Sequence, residues 1–342
     1  MKLGTLKDGT RDGRLVVISR NLVRAVHAPV TTLQQALDDW ASTSVQLEAL
    51  YAALNAGEAE GDFTFEEHAM LAPLPRSWQW LDVAAGSDDG NILMYQGAGD
   101  HFLGSRADIA VPGVSDDIDF GASLAVIVDQ VPAGTSVDKA EQHIQLILLA
   151  NVVTLRALAE EEARNGAAPL RSRPATGFAP VAVTPDEFGP EVWHEKRVQG
   201  TLQIYLNGRG YGRPECGRML HSFPQLIAHA ARTRGLGSGA VIGSGVIPNA
   251  GGDAVGCASI ADRRASETAS HGHARSDYLR LGDRIRIEMP DAEGVSIFGA
   301  IEQRVVQARG LAVSPVEDSV FGNGPELQQD DTVGVHDIQH EG

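Results

Sequence analysis

Two apolar runs rich in β-branched residues, 124–131 and 240–247, do most to limit what this chain can fold into, because turn-forming, glycine-rich stretches bound them. Segments of that length and composition read as strands. The pattern starts after Leu71-Ala72-Pro73-Leu74-Pro75 and predicts a large, strongly bent β domain over residues 73–309. Two helices are expected to interrupt it. Residues 137–148 carry Ala140, Ile144, Ile147 and Leu148 near helical spacing, and residues 223–233 carry Leu226, Ile227 and Ala230. The charged stretch Ala159-Glu160-Glu161-Glu162-Ala163-Arg164 is expected as the solvated face of a short helix.

The first 72 residues have a different rhythm. Residues 1–28 alternate apolar and turn residues, with Asp8-Gly9 and Asp12-Gly13 as tight-turn signals, so short strands are expected. Residues 32–54 then carry Leu33, Leu37, Trp40, Leu47, Leu50, Tyr51 and Leu54 at helical spacing, ending before Asn55-Ala56-Gly57. A small α+β N-terminal domain over 1–72 follows, and the whole chain reads as mainly β with α+β elements. Beyond residue 309 the sequence turns acidic and polar, and 310–342 is expected to be a disordered tail.

Composition narrows the function classes. The 45 acidic against 28 basic residues give a formal charge of −17, which disfavours a sequence-independent grip on nucleic acid, where clustered cations must displace phosphate counterions. The two cysteines, Cys216 and Cys257, have no metal-like spacing. No apolar run reaches the roughly 20 residues of a membrane span, and the polar N-terminus does not suggest export. A cytoplasmic protein without nucleic-acid or membrane partners is expected.

Several blocks carry a more specific signal. They are Met1-Lys2-Leu3-Gly4-Thr5-Leu6-Lys7-Asp8-Gly9, Leu93-Met94-Tyr95-Gln96-Gly97, Ile118-Asp119-Phe120-Gly121-Ala122-Ser123-Leu124, Arg173-Pro174-Ala175-Thr176-Gly177-Phe178, Phe223-Pro224-Gln225-Leu226-Ile227, Ile242-Gly243-Ser244-Gly245 and Leu281-Gly282-Asp283-Arg284-Ile285. In this order they resemble the fumarylacetoacetate hydrolase family, from Met1 to about Val306. The resemblance implies that family's β-roll as the C-terminal domain, a small-molecule substrate and a homodimer. It also implies a divalent cation, held by four carboxylates, that polarises a 1,3-dicarbonyl or 2-oxo acid.

Carried over position by position, that chemistry is largely missing. Gln79-Trp80-Leu81-Asp82 keeps the first carboxylate, Asp82. Where the family reads Phe-Glu-Ala-Glu, the chain has Gly121 and Ser123 in place of the glutamates, and where it reads Asn-Asp-Val-Ser, Val152 replaces the aspartate. A lone carboxylate lacks the ligand count of a cation that prefers six or more oxygens, so neither a metal nor another cofactor is expected. The family's base histidine and its helix are also absent, since Asp82 runs through residues 83–90 straight to Asn91. The glutamate that orients that histidine falls at Asp262, the charge-compensating lysine at Arg173, and the threonine after Gly-Ser-Gly at Val246. Tyr95 aligns with a substrate-contacting tyrosine, and Arg171 adds a second cation beside Arg173.

The resulting expectation is a wider, more apolar pocket, with Asp82, Arg173 and Asp262 as catalytic groups and Tyr95, Arg171 and Val246 as substrate contacts. Each has a plainer reading: Asp82 a loop hydrogen bond, Tyr95 core packing, Arg173 a structural pair, and His271-Gly272-His273 surface histidines. Three functions stay open. One is a metal-independent enzyme, of the kind found in specialised metabolism, that enolises, cyclises, dehydrates or cleaves a bulky 1,3-dicarbonyl, enol or 2-oxo acid. Another is an inactive scaffold or ligand-binding protein. The third is a residual metal-dependent hydrolase of acylpyruvates, which requires Asp88, Asp89 or Asp119 to swing toward Asp82.

Overall fold

The computed structural model describes residues 1–84, 87, 90–112, 116–249, 252 and 255–308. The tail expected at 310–342 lies outside them. The chain opens with an antiparallel meander of β1 (Lys2–Leu6), β2 (Arg14–Ile18) and β3 (Arg24–His27). The helix expected over 32–54 is two helices, α1 (Leu33–Asp38), capped by Thr32, and α2 (Trp40–Ala56). The break falls at Asp39, whose φ of −132° and ψ of 53° leave the helical region. The apolar spacing runs through the break, which is why periodicity alone does not reveal it. β4 (Phe63–Thr64) adds to the edge of β3.

Next come β5 (Trp80–Val83), paired antiparallel with β6 (Met94–Gly97), then β7 (Ile109–Val111), β8 (Ile118–Asp119) and β9 (Ala122–Val128). Of the helix expected at 137–148 only α3 (Val137–Ala140) and a following 3₁₀ turn form, and Ile144, Ile147 and Leu148 lie in β10 (Ile144–Val152). A continuous apolar run fits a strand buried on both faces as well as it fits a buried helix. Here pairing with β9 along its length decides for the strand. β11 (Thr154–Leu155), α4 (Arg156–Arg164), β12 (Thr176–Phe178) and β13 (Ala182–Val183) follow. In α4, Glu162 is not on a solvated face. It is buried and accepts from the amides of Leu170 and Arg171 and the hydroxyl of Ser172.

The last third holds α5 (Gly189–Val192), the hairpin of β14 (Trp193–His194) and β15 (Arg197–Val198), then β16 (Gln203–Leu206) and β17 (Arg209–Gly212). The expected second helix is α6 (Phe223–Ala230), opened by a capping box of Ser222 and Gln225. β18 (Val241–Val246), α7 (Ile260–His271), β19 (Arg284–Glu288) and β20 (Ile301–Gln307) complete the fold. α7 has no counterpart in the expected helices. Its sequence is polar, and only Ser259 at the cap and Asp262 three residues on mark its start.

An eleven-stranded sheet runs β4-β3-β2-β1-β13-β10-β9-β18-β5-β6, with β12 also paired to β10, and a five-stranded sheet runs β17-β16-β19-β20-β7. The N-terminal meander is thus hydrogen-bonded into the same sheet as β9 and β10. Alternation along β9 shows why both faces must be apolar. Leu124, Val126 and Val128 enter one buried cluster with β18, β19 and β20 residues, while Ala125 and Ile127 enter another with Leu15, Val17, Leu37 and Leu47. Among the described residues no helix is long and apolar enough to cross a membrane. Neither Cys216 nor Cys257 is in a disulfide.

Candidate active site

β5 carries Asp82 near one end of the large sheet, between β18 and the edge strand β6. β5 and β18 are parallel, with Val241 opposite Trp80 and Ile242 opposite Leu81. Such close approach requires Gly243, since a Cβ there would meet Asp82 Oδ1 at 2.2 Å and the Trp80 ring at 2.6 Å. Asp82 is 1% exposed. Its Oδ1 accepts from the Gly245 amide at 2.8 Å and its Oδ2 from the Tyr95 hydroxyl at 2.9 Å. Burial raises the carboxyl above its ordinary range, against the opposing pull of the Arg173 charge and these hydrogen bonds. Burial likewise holds the Tyr95 phenol far above its usual value, aided by the Asp82 charge, so Tyr95 stays a donor.

Arg173 lies over the Tyr95 ring, 5.0 Å from its centroid, and one of its amino groups donates to the Thr154 hydroxyl. Its Nε is buried without a partner, and among the described residues it forms no ion pair. Opposite stands the first turn of α7. Ser259 caps the helix by accepting from the Asp262 amide at 3.1 Å, and Asp262 Oδ2 accepts from the Ala258 amide at 3.2 Å. Burial raises the Asp262 carboxyl too.

These groups bound one cavity of about 230 Å³. Asp82, Arg173, Asp262 and Val246 all line it, together with Arg156, Leu220, Ser244 and Ser259. The end of β5 supplies Val83, and the shortened stretch after it supplies Ala84 and Ser87. Four of the six residues singled out in the sequence therefore meet. Tyr95 does not line the cavity and supports Asp82 from beneath. Arg171 is outside it, exposed at the surface and paired with Glu161 at 2.8 Å. Its neighbour Ser172 turns inward to Glu162, which aims Arg171 the other way.

Gly121, Ser123 and Val152, the positions expected from the resemblance to have lost ligands, are engaged in packing and backbone contacts. A Cβ on Gly121 would meet Val246 Cγ2 at 2.7 Å and the Val152 carbonyl at 3.0 Å. Ser123 donates its hydroxyl to the Gly245 carbonyl at 2.8 Å, and Val152 belongs to the buried apolar cluster containing Trp80 and Phe178. None of the three lines the cavity. Asp119 is engaged elsewhere: Arg156 Nε donates to it at 2.9 Å and the amides of Ile260 and Ala261 at 2.7 and 3.0 Å. Asp88 and Asp89 lie outside the described residues. Among those residues no group of three or more His, Cys, Asp or Glu side chains is placed to hold a metal ion. His271 and His273 are exposed at the end of α7.

Sequence reasoning missed Arg156, Ser244 and Ser259. Arg156 had one available signal, a cation two residues beyond Thr154 with Asp119 as the lone charge in an otherwise apolar strand region.

Against known proteins, residues 1–76 match the fumarylacetoacetase N-terminal domain 2 and residues 76–306 the fumarylacetoacetate (FAA) hydrolase C-terminal domain. Among solved structures the chain is similar to a maleylpyruvate hydrolase from Sphingobium sp. SYK-6 in complex with manganese(II) ion and pyruvate, with a TM-score of 0.63 at 15% identity, covering 90% of this chain and 100% of that one. A fumarylacetoacetate hydrolase from Exiguobacterium antarcticum gives 0.60 at 18%, again over 90% and 100%. A 5-carboxymethyl-2-hydroxymuconate delta-isomerase from Mycobacterium smegmatis gives 0.58 at 15%, over 90% and 99%. No curated protein matches by sequence.

Proposed function

The chain belongs to the fumarylacetoacetate hydrolase family, and from that footing we propose a metal-independent enzyme that enolises, or cleaves by way of an enolate, a small 2-oxo acid or 1,3-dicarbonyl compound. The observation that carries this reading is the convergence of Asp82, Asp262, Arg156 and Arg173 on one cavity. Two guanidinium groups suit a substrate carboxylate and a developing enolate oxygen, both planar anions. A buried carboxyl with a raised pKa suits proton transfer at carbon. Asp82, held on two sides by Tyr95 and Gly245, is the proposed base, with Asp262 as the second acid or base. A volume of about 230 Å³ favours a compact acid over the bulky substrate that the missing helix pointed to.

The donor set does not fit a hard divalent cation. Asp82 is one carboxylate whose two oxygens already accept hydrogen bonds, Gly121 has no room for a side chain, and Val152 is apolar. Six oxygens cannot be assembled from these. The residual-hydrolase reading loses its remaining described candidate with Asp119, which is tied to Arg156 and α7. A second reading, a binding protein without turnover, draws on the same Asp82 geometry, because a carboxylate with both oxygens engaged can be a relict. A cytoplasmic homodimer remains the expected setting.

Calorimetric titration of the protein, in EDTA, with oxalate, a planar dianion resembling the enolate of a 2-oxo acid, tests the proposal. Saturable binding that Arg173→Ala weakens at least tenfold is expected. Undetectable binding at millimolar oxalate, or equal binding by the variant, contradicts it. Turnover of acylpyruvates or oxo acids then separates enzyme from binding protein.

A further inference from the structure

Asp119 lines no part of the cavity, yet it is tied to much of its wall. It is fully buried on β8, directly across the ladder from Thr154 on β11. Thr154 in turn accepts the hydrogen bond from Arg173. Asp119 Oδ2 accepts from Arg156 Nε at 2.9 Å and lies 2.8 Å from Arg156 Nη2, while Oδ1 takes the Ile260 amide and Oδ2 also the Ala261 amide. We propose that Asp119 is the positioning residue of this site, one carboxylate that sets the Arg156 guanidinium and the Ser259–Asp262 turn relative to each other. The proposal rests on reading the cavity as an oxo-acid site.

The geometry asks more of Asp119 than helix capping. Ser259 already caps α7, and a fully buried carboxylate is costly unless its partners need it. What Asp119 adds is the arginine. Two of the three guanidinium nitrogens of Arg156 are held by it, and among the described residues Nη1 has no partner. The side chain is thereby fixed with one edge available, the arrangement that presents a guanidinium to an anion with little ordering left to do on binding.

Asp119→Asn separates the two functions. An amide oxygen still accepts from Ile260, but its NH₂ group faces the Arg156 donors. The first readout needs no ligand. Phenylglyoxal modification mapped by mass spectrometry is expected to be at least tenfold faster at Arg156 in Asp119→Asn than in the native protein, with hydrogen exchange faster over 259–264 and unchanged over 2–18. An unchanged Arg156 rate overturns the proposal. The second variant, Arg156→Lys, keeps the charge and loses the two-nitrogen grip, so its affinity alone carries the test if Asp119→Asn does not fold. Its oxalate affinity is expected to fall at least fivefold, and adding Asp119→Asn to it should weaken binding by less than twofold more. Native affinity in Arg156→Lys, or fully multiplicative losses, overturns the proposal. Absence of oxalate binding by the native protein contradicts the oxo-acid reading instead, and the Arg156 modification rate then decides the role of Asp119.

Discussion

At the residue scale, the site is organised around charges that burial makes expensive. Asp82, Asp119 and Asp262 all have carboxyls raised by desolvation. A carboxyl whose folded pKa exceeds its unfolded value binds more protons when folded, so its contribution to stability is complete below about pH 4 and is lost as pH rises through the folded value. Replacing Asp82 by Asn removes that penalty while leaving an acceptor for Gly245 and a partner for Tyr95. Asp82→Asn is therefore expected to melt higher than the native protein at pH 8, to lose that advantage toward pH 4, and to have no turnover. A melting temperature lowered equally at both pH values would show that the ionised carboxylate is structural. Asp82, Arg173 and Val246 could be placed from the sequence because family motifs fix their positions relative to β5, β12 and β18, and Asp262 only through its alignment with the family's glutamate. Arg171 was not, since the direction of a side chain after a turn depends on Glu162, eight to ten residues away, drawing the backbone inward.

At the element scale, β9 and β10 carry the fold, each sending alternate residues into separate buried clusters. Leu149 and Ile127 face different clusters. Leu149→Ala is expected to cost roughly 2–5 kcal/mol and Ile127→Val about 0.5–1.5 kcal/mol. Because the two belong to different buried clusters, urea denaturation of the double variant should give their sum within about 0.5 kcal/mol. Strong coupling would mean the two faces are not mechanically separate. The strand β9 was legible from its β-branched run. The strand β10 was not: Ile144, Ile147 and Leu148 fall at helical spacing, and only cross-strand pairing settles the matter. α7 failed for the opposite reason, its polar sequence offering no periodic face, although it carries Asp262 into the cavity.

At the scale of the whole molecule, the chain has the two domains of its family, and on the reading proposed above the positions that would hold a cation are filled by packing. Gly121 abuts Val246, Val152 is in the core, and Ser123 bonds to Gly245. The related hydrolase from Sphingobium, solved with manganese(II) and pyruvate, shows what the same fold accommodates elsewhere. Here the site is read as one in which guanidinium groups take over the stabilisation of an anion. The most direct test is elemental analysis of the purified protein with calorimetric titration by Mn²⁺, Mg²⁺ and Ca²⁺. The account predicts no stoichiometric metal, no binding heat at micromolar to sub-millimolar cation, and oxalate binding undiminished by EDTA. One equivalent of metal per chain, or micromolar affinity with oxalate binding that depends on the cation, would contradict it.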